Sequence, residues 1–408
     1  MSTDTRATAD QLHTGLVDLL LTRGTVTSPQ VEAALRAVPR HPFVPNTPLG
    51  TAYAPDDAVV TKRDAGGVAL SSASAPGVVA AMLEQLDVRP GMRILEIGAG
   101  TGYNAALLAS LTGPTGHVVT VDIDSDVVAG ARNALAATGF THVEVLTSDG
   151  AQGHAPGGPY DRIIVTAGAW DLPPAWWQQL TPTGRLVVPL RIIGGTSRAI
   201  AFDHAGDHLT SRSMITCGFL AMRGIGARDE PTLTLADGVS LLLSEGRTAA
   251  AEPMSDALTR ASTRTWSGVT LRSGQPFQEL DLWLATTSPG FCRIIAAPDA
   301  VTSDLATPAF RWGGAALTNS TDSFAYLTIR SAEPEDPDSA DDRPVFELGV
   351  RAHGPHGDAL TQVLLKQIQR WDDEHRDTTP RIDAYLKPAW PTAGTVIDKP
   401  NSVLTVTW

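Results

Sequence analysis

The sequence predicts an α/β protein in which a doubly wound, mostly parallel sheet is followed by a second α+β domain. Three observations lead there. From Ile94 to about Leu190 short apolar runs alternate with helical stretches, the turn after the first run is rich in glycine, and beyond about residue 220 the alternation stops. Strands that alternate with helices pair in parallel, because each helix returns the chain to the same end of the sheet. A length of 408 residues also exceeds one ordinary domain. The expected division is a first domain over 1–220, opening with helices within 1–45, and a second over 221–408 whose expected task is substrate recognition.

Leu12, Leu16, Leu19 and Leu20 recur at helical spacing, and Ser28 followed by Pro29 is a cap and first-turn signature for a helix bearing Val31, Leu35 and Val38. The loop His41-Pro42-Phe43-Val44-Pro45 is stiffened by its prolines, and His41 reads as structural. Strands are expected over 93–97, 118–123, 143–146, 162–166 and 185–189. In the second part the strand-like runs are 269–271, 280–285, 292–296, 324–329 and 345–350, set between Gly, Pro and Ser turns. The acidic, proline-containing run 333–344 reads as a solvated, mobile loop. After it, Leu360, Val363, Leu364, Ile368 and Trp371 form one face of a core-packing helix with Asp358 near its start.

Composition narrows the function classes. With 42% apolar and 18% charged residues the chain can bury large cores. A net charge of −13 argues against nucleic acid as partner, since phosphate binding needs clustered cations. No run approaches the ~20 apolar residues of a membrane span, and Met1-Ser2-Thr3-Asp4 opens no export signal, so the expected compartment is the cytoplasm. Cys217 and Cys292 stand far apart without His at ligand spacing, which predicts neither disulfide nor metal.

The chemistry is carried by Glu96-Ile97-Gly98-Ala99-Gly100-Thr101-Gly102, between an expected strand and an expected helix. Glycines let the backbone approach a ligand, and the helix start presents unpaired N–H groups. A dinucleotide fingerprint wants glycine where Tyr103 stands. Glycine at 98, 100 and 102 with an acid at Glu96 is instead the form found in S-adenosylmethionine-dependent methyltransferases, where a carboxylate suits a cationic ligand. Asp122 ends the next strand about 20 residues on, where a ribose diol would be held. Asp149, followed by Gly150, offers an acceptor for an adenine amino group after the third strand. Each acid alone reads as a turn or cap residue. Three such signals in order on successive strand ends favour cofactor binding by Glu96, Gly98, Gly100, Thr101, Gly102, Asp122, Asp149 and Gly150.

On these motifs, together with Val38-Pro39-Arg40-His41-Pro42-Phe43-Val44-Pro45, Ser72-Ala73-Ser74-Ala75-Pro76 and Gly184-Arg185-Leu186-Val187-Val188-Pro189, the first 220 residues or so resemble the protein-L-isoaspartate O-methyltransferase family. The resemblance implies a Rossmann-like class I methyltransferase fold, S-adenosyl-L-methionine as cofactor, and Ser74 as the active-site hydroxyl on the substrate carboxylate. Two departures stand out: Gly77 where the family usually has His, and about 190 residues beyond the usual last strands. Val60-Thr61-Lys62-Arg63-Asp64, the run from Gly168 to Trp177 and the extension are similar to an actinobacterial branch that accompanies ribosomally made peptides of lanthipeptide and graspetide type. That branch implies methylation of an aspartyl side chain in a constrained precursor peptide.

A carboxylate is already nucleophilic at neutral pH, so its methylation needs placement and dryness rather than a base. Ser74 can donate to one carboxylate oxygen and leave the other free to attack, or can cap the helix that opens at Pro76. Ser72, Ala75, Lys62 and Trp170 are the further expected substrate contacts, with solvated surface as the alternative for Lys62 and Arg63, and core packing for Trp176 and Trp177. Three functions stay open: methylation of an aspartyl peptide, whose ester can close to a succinimide or isoaspartate; repair of isoaspartyl residues in damaged proteins; and an idle cofactor-binding interaction module.

Overall fold

The computed structural model describes residues 8–228, 230–244, 247–275, 277–310, 313–333 and 341–408. The opening residues Met1 to Asp4 and most of the acidic run 333–344 lie outside them.

Thr8 and Gln11 form a capping box on helix Ala9–Thr22, and the Ser28 hydroxyl accepts from the Val31 N–H at 3.3 Å to open Pro29–Ala37. Leu16, Leu20, Val31 and Leu35 pack these helices onto Pro76–Leu86 and Tyr103–Thr112, one face of a ten-stranded sheet. At the sheet's parallel centre Arg93–Ile97 lies between His117–Asp122 and Tyr160–Val165, with Glu144–Thr147 at the edge. Both faces are covered, which is why these strands read as continuous apolar runs. Strand Leu180–Ile193 adds in parallel and continues well past the expected 185–189, because Thr196–His204 and then His208–Thr216 fold back antiparallel on it.

The second sheet has seven antiparallel strands, Thr232–Ala236, Val239–Leu243, Phe291–Ala296, Gly313–Thr318, Phe324–Ala332, Val345–His353 and Thr263–Arg272, in spatial order. Two expectations change here. Residues 280–285 are helical, within Gln278–Thr287: Leu282 enters the core of the first sheet while Leu280, Trp283 and Leu284 enter that of the second. A helix buried on both sides loses the one-sided pattern that identifies it, and its short apolar run imitates a strand. The division at 220 also changes. Arg381–Leu386, Thr395–Asp398 and Ser402–Thr407 return to the first sheet beside His208–Thr216. The second sheet is therefore inserted into the first unit rather than appended to it. Helix Gly357–Glu374 covers the second sheet through Leu364, Ile368 and Trp371, as its periodicity predicts.

Candidate functional site

The glycine turn forms where strand Arg93–Ile97 ends. Gly98, Gly100 and Gly102 have φ of 103°, 49° and 85°, values that side chains rarely adopt. At Gly98 a Cβ would stand 2.4 Å from Thr166 Oγ1, and that hydroxyl donates to the Gly98 carbonyl at 2.7 Å. The Gly98 and Ala99 N–H groups donate to the Val121 carbonyl, so the turn is tied to the neighbouring strand end.

Three acids sit at the same end of the sheet. Glu96 is fully buried; it accepts from Thr120 Oγ1 at 2.6 Å and Asn104 Nδ2 at 2.7 Å. Burial pushes its carboxyl up to about 7, against the two hydrogen bonds that favour ionisation. Asp122 accepts from the Gly100 and Asp124 N–H groups, both at 3.2 Å, and lines a cavity of about 540 Å³ together with Gly98, Gly100 and Gly150. Thr101 lines a smaller recess of about 40 Å³ beside Glu96. Gly102 lines neither space; it turns the chain into helix Tyr103–Thr112 over Ala131 and Leu135.

Ser72, Ser74 and Ala75 form another wall of the large cavity. The hairpin Val59–Arg63 with Ala69–Ala73 delivers them, and Pro76 starts the next helix with Ala75 at the cap position and no side-chain cap bond. Ser74 is thus not the helix cap. The far wall is Gly218 to Arg223, a strap that leaves strand His208–Thr216.

Three expected residues take different places. The Lys62 ammonium donates to Asp124 at 2.9 Å and Asp126 at 2.8 Å, so its charge is committed to the helix Ser125–Ala137 end instead of awaiting a peptide. Trp170 is buried under the Lys399 ammonium, 4.4 Å from its ring centroid, and does not line the cavity. Asp149 also stands off the cavity wall: it accepts from the Ala151 N–H at 2.9 Å and the Ile225 N–H at 2.7 Å, and so anchors the strap. Arg223 adds a second anchor through Asp124, at 2.7 Å. Trp176 is buried and donates to the Gly150 carbonyl at 2.8 Å, which holds that glycine at the cavity.

The C-terminal strands brace this side. Asp171 accepts from the Asn401 N–H at 2.6 Å and the Ser402 hydroxyl at 2.6 Å, and the Gly168 N–H donates to Leu220 O in the strap. Sequence reasoning passed over one more group. Arg40 is 0% exposed, donates to the Ala73 carbonyl at 3.2 Å, lies 5.1 Å from the Tyr103 ring centroid and lines the small recess with Ser74 and Glu96. Its Nε and Nη1 have no partner among the described residues, and burial lowers its pKa. The available signal was an arginine set in the apolar, proline-rich stretch 38–45. Among the described residues no three His, Cys, Asp or Glu are grouped to hold a metal, and no helix is long and apolar enough to cross a membrane.

The profile of the family described as protein-L-isoaspartate(D-aspartate) O-methyltransferase matches residues 11–224. A protein-L-isoaspartate O-methyltransferase of Methanopyrus kandleri is 43% identical over 176 residues, which span 43% of this chain and 75% of that protein. Protein-L-isoaspartate O-methyltransferase 2 of Archaeoglobus fulgidus is 41% identical over 163 residues, 40% of this chain and 71% of that one. A solved protein-L-isoaspartate O-methyltransferase superposes with a TM-score of 0.50 at 20% identity, over 91% of this chain and 96% of that chain. The shared architecture is the Rossmann-like α/β fold of class I methyltransferases, and it reaches well beyond residue 224.

Proposed function

This chain belongs to the protein-L-isoaspartate(D-aspartate) O-methyltransferase family, and from that premise we propose that its methyl acceptor is the free carboxylate of an L-isoaspartyl residue in a peptide or a damaged protein. It is an S-adenosyl-L-methionine-dependent methyltransferase. The cofactor, when bound, supplies an electrophilic methyl group on a sulfonium. The residues suit such a ligand: a cavity of about 540 Å³ is large enough, Gly98 and Gly100 line one side of it without side chains to block approach, and Asp122 stands where its carboxylate would accept two bonds from a ribose diol. Glu96 and Thr101 flank the recess for its charged tail.

The observation that carries the reading is Ser74 on the wall of the same cavity as Gly98, Gly100 and Asp122. Its hydroxyl donates to one oxygen of the acceptor carboxylate, which leaves the other to point at the methyl group. The strap from Gly218 to Arg223 keeps water from the carboxylate. No proton has to be removed from the nucleophile, in keeping with a wall that holds no histidine among the described residues. Incubation with cofactor labelled in its methyl group and a linear isoaspartyl peptide tests this directly. Base-labile label in the peptide is expected, and none on the aspartyl counterpart; labelling of neither would end the proposal.

One observation favours a second acceptor, an aspartyl side chain in a constrained peptide of ribosomal origin. Gly77 stands where the family usually has His, its N–H donates to the Pro55 carbonyl at 2.8 Å, and a Cβ there would come within 3.1 Å of that oxygen. The helix start is thus pressed against residues 55–56 and leaves the mouth by Ala75 and Asp56 free of an imidazole. The long extension, by contrast, does not speak for a special substrate, since a solved protein of the isoaspartate name spans nearly the same length. A macrocyclic aspartyl peptide that outcompetes the linear isoaspartyl one would favour this second reading. A cytoplasmic location belongs to the same proposal.

A further inference from the structure

Between the two sheets lies a separate cavity of about 410 Å³. From the first sheet it takes Arg198 and Thr216, from the second Arg293, and from helix Gln278–Thr287 between them Asp281, with the stacked rings of Phe277 and Phe310, whose centroids are 4.7 Å apart. Arg198 is only 3% exposed, yet it makes no ion pair among the described residues. Its guanidinium donates to two main-chain carbonyls, Ser197 O at 3.0 Å and Gln278 O at 2.5 Å, and its Nε has no partner. The carboxylate of Asp281 is bound to the Arg293 guanidinium instead. The wall thus carries two guanidinium groups and one carboxylate. Glu279 and Asp281 oppose the Arg198 charge only through space and make no hydrogen bond to it among the described residues, so an anion that enters the cavity can pair with the guanidinium directly.

The position of the cavity says where such an anion would come from. Thr216 lines it, and Gly218, two residues on, lines the cavity that holds Ser74. Two residues of chain span at most about 7 Å. The chain at Thr216 to Gly218 thus joins the wall of the second cavity to the far wall of the first, along which the flank of a bound peptide would run. The chain as a whole carries a charge of −13 and Lys62 is already paired, so acidic peptides need a local cation of this kind.

Resting on the carboxyl-methylation reading above, we propose that the inter-sheet cavity is a second substrate subsite, which takes an acidic side chain flanking the methylated residue and sets Arg198 against it as counter-ion. The second sheet then contributes specificity, and the acceptor is selected together with a neighbouring carboxylate.

The test uses C-terminally amidated isoaspartyl peptides that differ only by Glu or Gln at each of the four positions on either side of the acceptor. With the full-length enzyme, Glu at one position is expected to raise kcat/KM by about tenfold through KM, the effect of one charge-assisted contact. Arg198→Gln should abolish that preference and leave the Gln peptide unchanged. Ile295→Glu, at a 44% exposed position on the cavity wall, should do the same without disturbing buried groups. Glu and Gln peptides within twofold of each other at every position, or a preference that survives Ile295→Glu, would overturn the subsite. Should no isoaspartyl peptide be methylated, the acceptor reading falls by itself. Fluorescence anisotropy of the same labelled peptides then decides the subsite: tighter binding of a Glu peptide that Ile295→Glu removes upholds it, equal binding refutes it.

Discussion

The two walls of the cavity that Ser74 and Asp122 share are built in different ways. The wall with the glycine turn, Asp122 and Gly150, and Glu96 buried just behind it, consists of consecutive strand ends of one parallel sheet, so main-chain register alone brings these residues together. The opposite wall joins a hairpin near residue 70 to a strap near residue 220, and side chains hold it. Lys62, Asp124 and Arg223 link hairpin, helix start and strap, while Asp171 ties the loop beneath to the C-terminal strands. One wall follows from the order of the chain; the other depends on partners some 60 to 230 residues apart.

That contrast predicts where damage falls. Ser74→Ala should lower kcat by about 10²–10³-fold, as loss of one positioned donor does, with the cofactor Kd within twofold of wild type. Rapid-quench and calorimetric measurements check it, and loss of cofactor binding would move Ser74 to the other wall. Glu96 comes next. Its folded pKa of about 7 exceeds the ordinary 4.5, so its contribution to stability is fully present below pH 4.5 and is lost as pH rises through 7. The change amounts to roughly 3 kcal/mol. Glu96→Gln should flatten the curve of unfolding free energy against pH, measured by urea denaturation between pH 5 and 8; an unaltered slope would remove Glu96 as its source.

Asp122→Ala is expected to weaken cofactor binding by about 10- to 100-fold, the worth of a charge-assisted hydrogen bond, while saturating cofactor restores most of kcat. Wild-type affinity in a calorimetric titration would take Asp122 off the ribose. Asp124→Asn frees both Lys62 and Arg223, so KM for peptide should rise about three- to fivefold with little change in cofactor affinity, since part-exposed ion pairs are worth ~1 kcal/mol or less. A cofactor defect larger than the peptide defect would contradict the two-wall scheme. Smallest of all, Trp170→Phe should leave kcat/KM within twofold, because the indole packs under Lys399 away from the cavity.

Much of the first wall was legible in the sequence. Short apolar runs buried on both faces give parallel strands, glycines at positive φ give the turn, and an acid after each run falls at one sheet end. The helix Gln278–Thr287 was not, since burial between two sheets removes its polar face. Nor were the places of Lys62, Trp170 and Asp149. Each carries the right chemistry at a plausible point of the chain, and each is consumed by a partner that local pattern does not announce: Asp124 and Asp126, Lys399, and the Ile225 N–H.

The amino-acid order by itself determined the parallel sheet, the glycine turn with its flanking acids and the family to which the chain belongs, because these rest on interactions between neighbours in sequence or on strict strand register. Only the tertiary structure decided that the last strands rejoin the first sheet, that a strap and an N-terminal arginine line the cavity and its neighbouring recess, and that a buried Arg198 lies between the sheets. Ion pairs and hydrogen bonds act over a few ångströms of space, and which group meets which across a hundred residues is set only once the chain has packed.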